Sequence, residues 1–158
     1  NKEQTMRIAV ALTLLAAGFS TAVPVQAADS PEETAIEARE GVMHIRAFNL
    51  GQLVAMVKKE VDYDAEAAQT YANNLKFINQ LDMRSAWMEG TSSDDYMESR
   101  AKPVVWTEGD KFVDGGKKEA EAADKLAEVA GNGLNALAPA VKDLAQTCKN
   151  CHDDYRTD

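Results

Sequence analysis

Val141-Lys142-Asp143-Leu144-Ala145-Gln146-Thr147-Cys148-Lys149-Asn150-Cys151-His152-Asp153-Asp154-Tyr155-Arg156 lies at the end of the chain and carries a helix and a chemistry together. Val141, Leu144, Cys148, Cys151 with His152, and Tyr155 recur at three- and four-residue steps, which predicts one apolar helical face running through the cysteines. Within it, Cys148-Lys149-Asn150-Cys151-His152 has the C-x-x-C-H spacing of a covalent c-type haem attachment. Two thiols three positions apart share one helical turn, so each can add to a vinyl group of the same porphyrin. The adjacent histidine then offers its imidazole to the iron as proximal ligand. One covalent haem c on Cys148 and Cys151, with His152 on the metal, is therefore expected on the core face of this helix.

Other uses of the two cysteines fit less well. A thioredoxin-like C-x-x-C follows a strand in a βαβ context, and no segment here alternates like a strand. A zinc site needs two further ligands, and His44 and His152 are the only histidines. A structural disulfide suits a three-residue step inside a helix poorly.

The chain has 158 residues, 45% of them hydrophobic and 27% charged, which is the composition of one globular domain. Aromatics are only 6% and alanine is abundant, favouring packed helices over sheets. The formal charge is −9, from 17 basic and 26 acidic residues, which sets nucleic-acid binding aside.

Residues 1–27 differ from the rest. Arg7 precedes the apolar run from Ile8 to Phe19, and small residues lead to Val25-Gln26-Ala27-Ala28. A basic start, a short apolar core and a small-x-Ala site read as a secretory signal peptide. The run is shorter than the roughly 20 residues of a membrane span, and Pro24 interrupts any extension. Asn1 to Thr5 read as residues upstream of a natural start at Met6. A domain of residues 28–158, exported to a bacterial periplasm, is expected, with membrane association only if the leader is retained. Losing Lys2, Glu3 and Arg7 with the leader would take the charge from −9 to −10.

Asp29-Ser30-Pro31-Glu32-Glu33 opens a first helix, with a capping residue, proline in the first turn and acids near the positive end of the dipole. Ile36, Met43, Leu50 and Val57, with Ala47, Leu53 and Val54, form its expected core stripe, which runs out near Val61-Asp62-Tyr63. Asp64 caps a second helix, with Ala68, Tyr71, Leu75, Ile78 and Leu81 facing inward. From about Met83 to Thr107 the periodicity fades into a long crossover. A third helix begins near Thr107-Glu108 with Phe112, Gly116, Ala123, Leu126 and Ala130 on one side, and Gly131-Asn132-Gly133 stops it. The fourth runs from Leu134 or Ala138 to Tyr155, with Pro139 expected in its first turn. Short, long and short connections predict an all-α, antiparallel up-down-up-down four-helix bundle.

With the haem motif closing the chain as Cys148-Lys149-Asn150-Cys151-His152-Asp153-Asp154-Tyr155-Arg156, the sequence resembles the class II cytochromes c, the cytochrome c′ family. Ala38-Arg39, Tyr63-Asp64, Gly90-Thr91 and Ala101-Lys102-Pro103-Val104-Val105-Trp106 follow the family's order. The resemblance implies thioether bonds at Cys148 and Cys151, His152 as proximal ligand, Arg39 on a haem propionate, and Tyr155 and Arg156 shaping the proximal pocket. It also implies possible pairing into a homodimer through the first helices.

Met43 is the departure from the high-spin pattern, in which a leucine typically covers the distal face. It lies one turn after Arg39, and low-spin relatives use a methionine there as sixth ligand. A His152/Met43 haem would suit a one-electron carrier. The alternative is a five-coordinate protein that binds nitric oxide or carbon monoxide as sensor or scavenger. Met56, Met83, Met88 and Met97 are weaker ligand candidates, and His44 projects roughly 100° away from Met43. No catalytic constellation is present, so an enzyme is not expected. The acidic charge suggests a redox partner with a basic docking patch.

Overall fold

The computed structural model describes residues 29–158; the expected leader lies outside the described residues. Five α-helices follow one another: α1 (Pro31–Val57), α2 (Ala65–Ile78), the short α3 (Val104–Thr107), α4 (Gly109–Val129) and α5 (Leu134–Tyr155). The four long ones form the bundle, and α3 sits inside the crossover. Arg46–Asn79 and Phe48–Tyr71 pair α1 with α2 and its C-cap in descending order, and Gln69–Ala127 and Lys76–Asp124 do the same for α2 and α4. Neighbouring helices therefore run antiparallel, α4 and α1 each packing also on α5. Among the described residues there is no strand, only an isolated antiparallel bridge between Ala101 and Arg156.

The helix ends follow their local chemistry. Ser30 accepts from the Glu33 amide at 3.1 Å while the Glu33 carboxylate accepts from the Ser30 amide at 2.7 Å, a full capping box ahead of Pro31. Asp64 accepts from the Ala67 amide at 2.7 Å and starts α2. α1 stops at Val57, earlier than its apolar pattern suggests. The Lys59 amide bonds the Met56 carbonyl and the Glu60 amide bonds the Ala55 carbonyl, with Lys59 at φ 60, which is a Schellman stop without a glycine. Gly133, at φ 97, makes the turn into α5. The Tyr63 hydroxyl locks that turn by donating to the Ala130 carbonyl and accepting from the Gly133 amide, both at 2.9 Å. Pro139 is the sixth residue of α5 rather than a first-turn residue. Pro139 and Asn135 are both exposed, so water can solvate the carbonyl that proline leaves without a donor.

The core is a layer of small and aliphatic side chains, with Leu53, Leu126, Leu137 and Leu144 fully buried against Ala68, Ala72, Ala123 and Ala130. Alanine at these positions lets the helices approach closely. The α1 stripe is rotated from expectation: Ile36, Arg39, Asn49, Leu53 and Met56 are buried, Met43, Leu50 and Val57 are half-buried, and Ala47 is exposed. Leu81 lies beyond α2 and is exposed.

Arg39 explains the shift. Its guanidinium enters the crossover, where Nη1 donates to the Ala86 carbonyl (3.3 Å) and the Thr91 hydroxyl (2.7 Å). Nη2 donates to the Thr91 carbonyl (2.6 Å) and the Ser99 hydroxyl (2.7 Å). Trp87 and Trp106 flank it at 5.0 and 5.8 Å from their ring centroids. One side chain thus gathers residues 86–106 onto α1. Arg39→Ala strands two carbonyls and two hydroxyls, and the expected loss is about 3 kcal/mol in a denaturant titration of the holoprotein. Arg39→Lys, with a single ammonium head, should recover less than half of it. A loss below about 1 kcal/mol for the alanine variant would contradict this role for Arg39.

Candidate haem-binding site

α5 presents Cys148, Cys151 and His152 within its last two turns, and both thiols are free. The two cysteines meet different surroundings. Cys148 packs against the aliphatic bundle core. Cys151 packs against a second cluster of Ala101, Val105 and Tyr155 with Trp87, Val104, Trp106 and Phe112. Phe112 links that cluster edge-to-face with Trp87 at 4.6 Å and with Tyr155 at 5.2 Å. The Trp106 indole N–H donates to the Trp87 carbonyl at 3.0 Å, so the aromatic wall is tied to the crossover that Arg39 holds.

Burial pushes the Cys148 thiol up to about 11, with the Glu119 carboxylate adding to the shift and Arg46 opposing it. Burial raises Cys151 as well, again with Glu119 raising and Arg46 lowering it. His152 is held below the usual imidazole range, chiefly by burial and then by the positive charges of Arg156 and Arg100. It borders an open groove of about 530 Å³ with Lys102, Asp153, Arg156 and Thr157. The C-terminal turn is fixed beside it, since the Lys102 amide donates to the Tyr155 carbonyl and the Thr157 amide to the Arg100 carbonyl, both at 2.9 Å.

The distal candidates differ in burial and in contacts. Met43 is half-buried, and its sulfur accepts from Arg46 Nη1 at 3.6 Å. Arg46 Nη2 donates to Asn79 Oδ1 at 2.7 Å, and its Nε lies 3.3 Å from Glu119 Oε1. That approach is an ion pair by distance but not by angle, leaving the buried Nε–H without a hydrogen bond. His44 is exposed, Met56 belongs to the core, and Met97 is exposed to 94%. Met83 and Met88 are half-buried in the crossover.

All four terminal N–H groups of Arg39 are spent on the crossover, so the residue builds the wall of the site, and only Nε–H is left over for a propionate. Tyr155 contributes a buried ring, whereas Arg156 is exposed and pairs through its backbone with Ala101. The Arg46–Glu119 pair was missed from sequence. Arg39, Met43 and Arg46 do share one face at i, i+4 and i+7, but nothing local in the charged run Lys117-Lys118-Glu119 marks Glu119 as inward.

These residues fit a covalent porphyrin. Two thiols one turn apart abut an aliphatic core and an aromatic wall, and an imidazole follows on the next residue. Among the described residues no group of three or more His, Cys, Asp or Glu is placed to hold a metal ion by itself.

The family model described as Cytochrome C′ matches residues 34–156. A cytochrome c′ of Cereibacter sphaeroides is 38% identical over 143 residues, covering 90% of this chain and 96% of the relative. The solved cytochrome c′ from Rhodobacter Spheriodes superposes with a TM-score of 0.79 at 39% identity, over 82% of this chain and 98% of that one. A cytochrome c′ described as having an unusual ligand-controlled dimer dissociation gives 0.72 at 29% identity, over 84% and 100%. The nitric oxide complex of a leucine-to-alanine mutant of cytochrome c prime from Alcaligenes xylosoxidans gives 0.72 at 26%, over 83% and 99%.

The raised thiols have a chemical consequence in the haem-free chain. Less thiolate at neutral pH means slower alkylation than a free cysteine. Iodoacetamide rates at Cys148 should still be climbing above roughly pH 9.5, and a plateau below that would contradict so buried a thiol.

Proposed function

The chain belongs to the cytochrome c′ family, and from that premise we propose that it binds a small gas, nitric oxide or carbon monoxide, at a five-coordinate haem held through Cys148, Cys151 and His152. As a member of the family it carries one covalently attached haem c, whose iron supplies reversible ligand binding and one-electron exchange. Met43 covers the distal face in this reading instead of ligating.

The observation that carries it is the Met43 sulfur, engaged by Arg46 Nη1 at 3.6 Å. A thioether donates to a metal through a sulfur lone pair, and an N–H aimed at that sulfur competes for it. A relative's nitric oxide complex supports gas as the ligand class. The low-spin His152/Met43 electron carrier is therefore the second reading, favoured by Met43 lying half-buried one turn beyond Arg39. Tyr155 walls the proximal side, and burial, then the positive charges of Arg156 and Arg100, favour a neutral His152 imidazole able to ligate. Arg39 supports the cofactor through the crossover, with Nε–H left for a propionate.

The visible spectrum tests the reading. Purified ferric and ferrous protein should be high spin, carbon monoxide should bind the ferrous form readily, and Met43→Leu should change the spectrum only modestly. A low-spin native spectrum that Met43→Leu turns high spin would establish Met43 as the sixth ligand instead.

The function proposed is binding and electron exchange, not catalysis. The place is the periplasm, reached through the leader expected at residues 1–27. No helix among the described residues is long and apolar enough to cross a membrane. The charge of −9 suits a redox partner with a basic patch. A second copy is the other proposed partner, as in the relative whose dimer dissociates under ligand control. Ile45 and Phe48 of α1, Phe77 of α2 and Leu81 beyond it are exposed large apolar side chains, of the kind that marks an interface. Phe48→Glu should convert a dimer to monomer in sedimentation velocity and leave the haem spectrum unchanged. An unaltered dimer would place the contact elsewhere.

A further inference from the structure

Arg46 has no use in gas binding beyond its contact with Met43, yet it is a charged side chain only 18% exposed, facing a Glu119 side chain only 14% exposed. Such burial is costly unless the donors find acceptors. Its acceptors are poor: one amide oxygen at 2.7 Å, one thioether at 3.6 Å, and one carboxylate at 3.3 Å out of line with Nε–H. A thioether is a weak acceptor, so a cation of five donors makes a single strong hydrogen bond. Asn79 and Glu119 hold the fork from α2's C-terminal cap and from α4, so its position is fixed by two other elements. That position is next to Met43, whose sulfur lies 3.6 Å from Nη1, and both helices that carry the pair, α1 and α4, pack on the cysteine-bearing α5. With Met43 covering the distal face, that face has a cationic neighbour with donors to spare.

We propose that Arg46 is the distal specificity residue, donating its poorly used N–H groups to small anionic or hydrogen-bond-accepting ligands at the haem iron. The Met43 sulfur is then the resting acceptor, displaced when a better one arrives. Glu119 opposes the charge and limits how strongly anions are drawn in. The consequence is selection: ligands that accept hydrogen bonds or carry charge gain from Arg46, and carbon monoxide, a weak acceptor, gains little.

This inference rests on the open distal face of the proposed gas-binding function, and its test separates the two. Ferric holoprotein is titrated with fluoride and ferrous holoprotein with carbon monoxide, each followed by its visible spectrum. Arg46→Leu should lower fluoride affinity about tenfold, the loss of one charge-assisted hydrogen bond, with carbon monoxide affinity changed less than about twofold. Arg46→Lys should retain part of the fluoride affinity, and Glu119→Gln should raise it several-fold. Because Arg46→Leu strands Glu119 and can impair folding, the double variant Arg46→Leu/Glu119→Leu removes both charges together and should show the same fluoride loss. Unchanged fluoride affinity in both Arg46 variants overturns the proposal, as does an equal loss for fluoride and carbon monoxide. Unchanged fluoride affinity with a shifted midpoint potential also overturns it and assigns Arg46 to a haem carboxylate. A low-spin native spectrum would overturn only the five-coordinate reading. The same titrations in a Met43→Leu background, with the sulfur gone, would still decide the role of Arg46.

Discussion

A single buried guanidinium, that of Arg39 between Trp87 and Trp106, organises everything at the haem end of the bundle. It is removed from water without a carboxylate partner, and two carbonyls, two hydroxyls and two ring faces replace the lost hydration. Its planar fork can reach Ala86, Thr91 and Ser99 together, which a lysine could not do. The crossover between α2 and α4 has only a single 3-10 turn and the four residues of α3 as regular structure. Its shape therefore comes from this fork and from the serine and threonine turns around it, such as Thr91 donating to the Met88 carbonyl and Ser99 to the Thr91 carbonyl. Fixing the crossover places Trp87 against Phe112, and Phe112 against Tyr155, on the side of α5 where Cys151 stands. A residue on the first helix thus determines the surroundings of a motif on the last.

The two thiols of that motif are three residues apart and chemically unlike. Cys148 looks into the aliphatic core, where burial pushes its thiol up to about 11, and Cys151 looks into the aromatic wall. Cys148 and Cys151 would hold a haem from the boundary between these regions, one thiol on the core side and the other on the crossover side. That arrangement couples cofactor retention to the crossover as well as to the thioether bonds, because loosening residues 86–106 would open one wall of the pocket.

The periodic parts of this molecule were legible in the sequence. The bundle follows from helical stripes, from Ser30 and Asp64 as caps and from the Gly131-Asn132-Gly133 stop, because each is a local rule acting within a few residues. The attachment motif was legible for the same reason. What escaped were the long-range polar contacts: Arg39 with Thr91 and Ser99, Arg46 with Asn79, and Arg46 with Glu119. Each joins residues more than thirty positions apart, and no spacing rule records which arginine of a helix turns inward. The misplaced α1 stripe has the same origin. A seven-residue apolar repeat favoured Met43, Leu50 and Val57, whereas the helix turned to bury Arg39 and Asn49 with Ile36, Leu53 and Met56. The early stop of α1 was hidden because its left-handed residue is Lys59, not a glycine.

The distal side shows how one side-chain contact can redirect a functional reading. Met43 by itself suggests a sixth ligand, since a soft thioether one turn from Arg39 is well placed to meet iron. Arg46, one further turn along, changes the competition for that sulfur. To bind iron, Met43 must give up the Nη1 contact, leaving a guanidinium that already has an unpaired Nε–H with one acceptor fewer. The cost of that loss is subtracted from the iron–sulfur bond, just as any incoming ligand's affinity is reduced by whatever it displaces. A small anion faces the opposite balance, because the Nη1 donor that leaves the sulfur gains a stronger acceptor in the ligand. In the proposed gas-binding reading, the pair Arg46–Glu119 would bias the distal face toward exogenous ligands while keeping the interior close to neutral, which a lone arginine at the same position would not do.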